Sequence, residues 1–179
     1  MGKLKNIILI FMVLSLLMGC TNSVNKTNSE DSNNYASTAY ITGVGIQLTV
    51  IQNIELCKSI SEVWSDAISN GKDFNEEIAT VQKIAKETNF LQKLQKDKEL
   101  IDGMMSRLNN PPEEYKTLYD KLLSLYGQYT KIYELAISPS GSLMTYNQSI
   151  SEVSSEINRL YNEFQVLVPQ DIKANQNSN

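Results

Sequence analysis

The spacing of apolar residues between Leu143 and Leu167 restricts this chain more than any other feature. Leu143, Tyr146, Ile150, Val153, Ile157, Leu160, Phe164 and Leu167 recur at alternating intervals of three and four. A half-buried strand would alternate by two, so these residues form one face of a helix. Tyr115, Leu118, Leu122, Leu125, Tyr129, Ile132 and Ala136 repeat the pattern one segment earlier. Two such seams in succession predict antiparallel helices packed at about +20°, as in a coiled coil.

Breakers divide the rest of the chain into two more helical segments. The first is expected from about Ala36 to Ser69, stopped by Asn70-Gly71, where a glycine can take the left-handed cap. Its apolar face is read as Val50, Ile54, Cys57, Ser61, Trp64 and Ile68, widened by Leu56, Ile60, Val63 and Ala67. The second segment runs to about Leu108. It opens on Asp73 with Glu76 three residues on, a capping-box pattern. Its stripe is Phe74, Ile78, Val81, Ala85, Leu91, Leu94, Ile101, Met105 and Leu108. Asn109-Asn110-Pro111-Pro112 ends it. Pro112 suits the first turn of the third helix, where Glu113 and Glu114 meet the positive end of the dipole. Ser138-Pro139-Ser140-Gly141-Ser142 separates the third helix from the fourth, and Ser142 can cap the latter. Short connections between long helices predict an all-α fold, an elongated up-down-up-down four-helix bundle over residues 36–168 with a coiled-coil-like second hairpin. Helices of this length would span about 40–50 Å.

One stretch admits two readings. Tyr35 to Ile54 carries no charge and includes Gly43 and Gly45 among β-branched residues. Read locally, Tyr40 to Val50 has the composition of a strand. The stripe that starts at Val50 extends back through Ile46 and Gly43, which favours helix. A mid-helix glycine costs about 1 kcal/mol against alanine. A close crossing by a neighbouring helix would offset that.

Composition removes several chemistries. The chain has no histidine, which excludes imidazole metal ligands and Ser-His or Cys-His catalysis. The adjacent acids Glu76-Glu77 and Glu113-Glu114 do not face one another on a helix, and first-turn dipole stabilisation accounts for them. No Glu-x-x-His motif exists for a di-iron bundle site. The expectation is therefore a chain without catalytic residues, metal or cofactor. Its net charge is −4, and it lacks the basic run that phosphate backbones require, so nucleic acid is not an expected partner.

The N-terminus carries an address. Lys3 and Lys5 precede an apolar run from Ile7 to Met18, which ends in Leu16-Leu17-Met18-Gly19-Cys20. About twelve apolar residues are too few to span a bilayer, so the run reads as a signal peptide over residues 1–19. Leu17-Met18-Gly19-Cys20 resembles the lipobox of bacterial lipoproteins. That resemblance implies cleavage before Cys20, a diacylglycerol on its thiol and palmitate-type acylation. It also implies a lipid anchor on the extracytoplasmic face of the cell membrane. Thr21, rather than Asp, follows the cysteine. The Asn-, Lys- and Ile-rich composition favours a Gram-positive surface. Loss of residues 1–19 would take two lysines and no acid, moving the formal charge from −4 to −6. Acylation of Cys20 would leave Cys57 as the single thiol, with no intramolecular disulfide to form. Residues 20–35 read as a disordered polar tether with a reach of about 20 Å, and residues 169–179 as a disordered tail.

Candidate contact residues are Tyr119, Tyr126 and Tyr133, seven apart on the third helix. Tyrosine is amphipathic and suits partner surfaces, although the same spacing serves bundle packing. The expected function is a non-enzymatic binding or adaptor module for a protein or cell-wall partner, held to the membrane by its lipid. The alternative is a receptor for a small ligand or metal in an inter-helix cavity, which would need inward polar groups such as Ser61, Thr88 and Lys98.

Overall fold

A computed structural model describes the backbone of residues 28–176 and the side chains of residues 34–174. The described residues are all-helical. Six α-helices follow one another: α1 Asn28–Asn70, α2 Phe74–Glu87, α3 Phe90–Arg107, α4 Lys116–Ile137, α5 Leu143–Leu167 and α6 Gln170–Gln176. A single 3-10 turn, Glu113–Tyr115, leads into α4.

The stretch that resembled a strand is helix. α1 is 43 residues long and runs unbroken through both glycines. Its buried seam differs from the one expected. Ala36, Ala39, Ile46, Val50, Asn53, Cys57, Ile60, Trp64 and Ala67 are all at most 6 % exposed, and buried Gly43 completes the series. The intervals are again three and four, the same repeat as in α4 and α5. From Val50 onward the seam passes through Ile60 and Ala67, expected to widen the face, and through Asn53, while Ile54, Ser61 and Ile68 lie outside it. Ile68 is 62 % exposed. Gly43, Ile46, Val50, Cys57, Ile60, Trp64 and Ala67 lie on the stripe read from the sequence, whereas Ala36, Ala39 and Asn53 escape it because alanine and asparagine carry little hydrophobic signal.

Breaks and caps follow local chemistry. Gly71 has φ +61°, and the Lys72 amide donates to the Ala67 carbonyl at 2.9 Å, closing α1 with a left-handed cap. The Asp73 carboxylate accepts from the Asn75 and Glu76 amides at 2.7 and 3.2 Å. The reciprocal capping box forms at Ser142, whose hydroxyl accepts from the Thr145 amide while the Ser142 amide donates to Thr145 Oγ1. The second segment, expected as one helix, is two. Thr88 Oγ1 donates to the Ile84 carbonyl, and Asn89 takes φ +59°, ending α2 before α3 begins at Phe90. Asparagine tolerates that conformation, which stops a helix without glycine or proline. Two expected coil segments also carry helix. α1 starts at Asn28, within the expected tether. Pro169 separates α5 from α6, which holds Ile172 at 6 % exposure against α1.

Cross-links set the packing. Tyr35 Oη donates to the Leu108 carbonyl, Lys93 Nζ to Gln52, and Trp64 stacks on Phe74, so α1 runs antiparallel to α2 and α3. Tyr35 also stacks on Tyr115, placing the start of α4 beside the start of α1. Ser61 Oγ donates to Asn147, and Gly43 faces Phe164, so α5 runs antiparallel to α1. Lys121 pairs with Glu163 at 2.6 Å, and Tyr146 Oη donates to the Leu135 carbonyl, tying α4 to α5 along their length. α1, α4 and α5 pack mutually as the most extensive set, and α2 and α3 lie along α1. Three of these helices therefore enclose most of the core.

The two glycines of α1 have opposite environments. A Cβ on Gly43 would stand 2.3 Å from the Phe164 ring, whereas one on Gly45 would meet nothing within 4 Å. Gly43→Ala is expected to destabilise by about 1–3 kcal/mol through overpacking. Gly45→Ala is expected to stabilise by about 0.5–1 kcal/mol by restricting the unfolded chain. Urea unfolding of both variants checks the pair, and equal shifts would contradict this packing.

Candidate functional site

The tyrosines singled out in the sequence all lie on α4, and each is half-buried against the core. Tyr126 and Tyr133 meet at one cation. Lys98, on α3, places its ammonium 5.2 Å from the centre of the Tyr126 ring and 6.0 Å from that of Tyr133. The same nitrogen lies 2.6 Å from both carboxylate oxygens of Asp102, one turn along α3. Tyr126 Oη donates to Asp102 Oδ1 at 2.7 Å. Lys98, Asp102 and Tyr126 thus make a charge-assisted network bridging α3 and α4. Burial works against the charge on Lys98, but hydrogen bonds to Asp102 and Tyr126 outweigh it and raise its pKa. Tyr119 stands further toward the N-terminal end of α4, close enough to influence Tyr35, whose phenol burial pushes up to about 12.

The polar groups considered for a receptor cavity are engaged elsewhere. Ser61 bonds Asn147, Thr88 bonds its own helix, and Lys98 bonds Asp102. A cleft of about 210 Å³ opens nearby, lined by α1 (Leu56, Ile60), α2 (Gln82, Ala85), α3 (Leu91, Gln95) and α4 (Tyr133, Ala136, Ile137). Its walls are apolar, with the amides of Gln82 and Gln95 as its main polar edges, and none of Ser61, Thr88 and Lys98 lines it. The α2–α3 break at Asn89 falls between Ala85 and Leu91 of its wall. Periodicity could not reveal this cleft, because it depends on how α2 is set against α4. Among the described residues, no group of three or more Cys, Asp or Glu side chains converges in the manner of a metal cage.

Cys57 lies in the α1 seam at 0 % exposure, beside Tyr146. The Tyr146 proton is committed to the Leu135 carbonyl. Burial pushes the Cys57 thiol up to about 11, opposed in part by its contact with Tyr146. A thiol so placed behaves as a small hydrophobe. Cys20 falls outside the described residues. No helix among the described residues is long and apolar enough to cross a membrane.

Comparison of the chain with protein-family models, curated proteins and solved structures found no match.

Two expectations follow from this geometry. Tyr126→Phe removes one charge-assisted hydrogen bond and should cost on the order of 1–2 kcal/mol, read as a lower unfolding midpoint. An unchanged midpoint would mean that the network does not join α3 to α4. In the folded protein at pH 8 burial keeps the Cys57 thiol protonated and the sulfur covered, so iodoacetamide should leave it unmodified until denaturant is added. Peptide mass spectrometry reads the difference, and rapid native alkylation would contradict the burial.

Proposed function

We propose that this chain is a membrane-anchored extracytoplasmic lipoprotein that acts as a non-enzymatic binding or adaptor module for a protein or cell-envelope partner. In this reading the helices form an elongated up-down-up-down four-helix bundle, with α2 and α3 serving as one broken strut. Cys20 carries the lipid, and a Gram-positive surface is favoured by composition. One observation carries the reading: α1 begins at Asn28, eight residues after Cys20, and continues without a break to Asn70. At 1.5 Å per residue that helix measures about 64 Å. The turn at Gly71 and the loop Ser138–Ser142 lie at its far end, where Trp64 meets Phe74 and Tyr146. A lipid at one end and two turns at the other give a stiff spacer that presents its tips away from a bilayer. The exposed parts of Tyr119, Tyr126 and Tyr133 offer amphipathic contact area along the side. The absent histidines and the engaged polar groups support a role in contact rather than turnover.

A second reading is favoured by the cleft beside Tyr133. Its apolar walls suit the apolar part of a ligand smaller than drug size, whose polar end meets the Gln82 and Gln95 amides.

Radiolabelled palmitate fed to expressing cells should enter the wild-type chain and not Cys20→Ala. A photo-crosslinking residue at Ser140 should capture an envelope partner in the anchored form, with at least about tenfold less capture in Cys20→Ala. Labelling that persists in Cys20→Ala would overturn the anchor. Equal capture by both forms would overturn the spacer role.

A further inference from the structure

The cleft beside Tyr133 restricts its occupant first by size. An engineered apolar cavity of about 150 Å³ in another protein holds benzene. Pockets for drug-sized molecules begin near about 300 Å³. At about 210 Å³ the cleft among α1, α2, α3 and α4 falls between the two. It has room for one ring or two fused rings, and none for a helix, a peptide segment or a long acyl chain.

The lining then excludes charge. Leu56, Ile60, Leu91 and Ala136 supply apolar wall beside Tyr133, and no acid or base stands among the lining residues. A charged group entering would give up water without meeting an opposite charge. The ammonium of Lys98, 6.0 Å from the centre of the Tyr133 ring, is already held by Asp102 and Tyr126.

Gln95 supplies the direction of the polar contact. Gln82 and Gln95 are both exposed, so their side chains stand at the mouth of the cleft. Gln95 Nε2 donates to Glu99 Oε1 at 3.0 Å, one turn further along α3. An ionised carboxylate only accepts, so this bond fixes which end of the Gln95 amide is nitrogen. The carbonyl oxygen is the end left to accept. Donation to a carboxylate polarises the amide and makes that oxygen a stronger acceptor. The charge on Glu99 also opposes the approach of an anion to the same mouth.

On the reading that the cleft binds a small ligand, we infer that this ligand is an uncharged, compact molecule of one or two fused rings, whose N–H or O–H donates to Gln95 Oε1. Gln95 is then the residue that sets specificity, with Glu99 holding its amide in the accepting orientation. The apolar walls take the rings and read only their size.

Indole and benzofuran test this on the full chain, because they share a shape and differ in an N–H replaced by an oxygen. In titrations followed by NMR, both should move the methyl signals of Leu56, Ile60 and Leu91, with indole binding about fivefold tighter. Gln95→Leu should keep the helical circular dichroism signal, leave benzofuran binding no weaker and abolish the preference for indole. Benzamide should bind at least about tenfold more tightly than benzoate, its charged isostere. Three results would overturn the inference and leave the cleft a ligand site. They are equal binding of indole and benzofuran, a preference for indole that survives in Gln95→Leu, and benzoate binding as tight as benzamide, each with the methyl signals displaced. Methyl signals that none of the four probes moves would overturn the ligand reading itself, and the inference with it.

Discussion

The fold depends on how closely α1 can lie against the α4–α5 hairpin. That approach is set where Gly43 meets the Phe164 ring, at a separation a methyl group would not permit. Along the same seam Ala36 and Ala39 come before it, and Ile46, Val50, Ile60 and Trp64 come after. The seam opens on three small residues in succession, and larger side chains enter only from Ile46, with the smaller Asn53, Cys57 and Ala67 among them. Its small end admits the ring of Phe164, and its large end fills the space around Tyr146 and Phe74. α1 is nearly twice the length of α4 and meets the hairpin along this seam. Interiors pack at crystal-like density, so a seam of uniformly large residues would have left α1 standing off from the hairpin.

Polar groups caught in this core are handled locally. Thr42 and Thr49 are buried and donate to carbonyls of their own helix, and Asn53 donates to the Thr49 carbonyl at 2.8 Å. Such back-bonding lets a hydroxyl or amide occupy a seam without a partner on another helix. It is incomplete. Asn53 Oδ1 and the Tyr129 hydroxyl lack a well-formed hydrogen bond although both residues are fully covered. Thr49 lies near Tyr129 and tempers the rise in that phenol's pKa, which burial drives. Polar atoms left wanting in this way are a cost that the surrounding apolar burial has to offset.

The second segment contributes differently. α2 and α3 pack along α1, and α3 reaches α4 through Lys98, Asp102 and Tyr126 rather than through an apolar seam. A polar bridge is directional and tolerates distance, so the helices can stand apart at one end. The cleft between Ala85, Leu91 and Ile137 opens among these helices. The exposed apolar residues Ile41, Leu48 and Ile51 of α1 lie outside it. The protein consequently offers two different faces, an apolar cleft toward the far turns and a charge-free helix surface nearer the N-terminus.

The sequence by itself determined the seam of α4, that of α5 as far as Phe164 (beyond it Leu167 is exposed and Val168 is buried instead), the stops at Gly71, Pro111 and Ser138–Ser142, and the all-helical class. These are written in strong local signals: leucine and tyrosine at heptad intervals, prolines, and capping hydroxyls. Tertiary structure decided what weak signals left open. The first part of the α1 seam and its Asn53 position rest on alanine, glycine and asparagine, whose burial is set by a neighbour's size rather than by their own hydrophobicity. The break at Thr88–Asn89 was hidden because a threonine back-bond and one left-handed asparagine need neither glycine nor proline. Tyr126 and Tyr133 read as candidate contacts in sequence, and only the position of Lys98, 28 residues from Tyr126 in the chain, shows them closing over a cation. Local chemistry decides where a helix starts and stops. What a helix touches depends on the shapes brought to it from far along the chain, and no single stretch of sequence contains them.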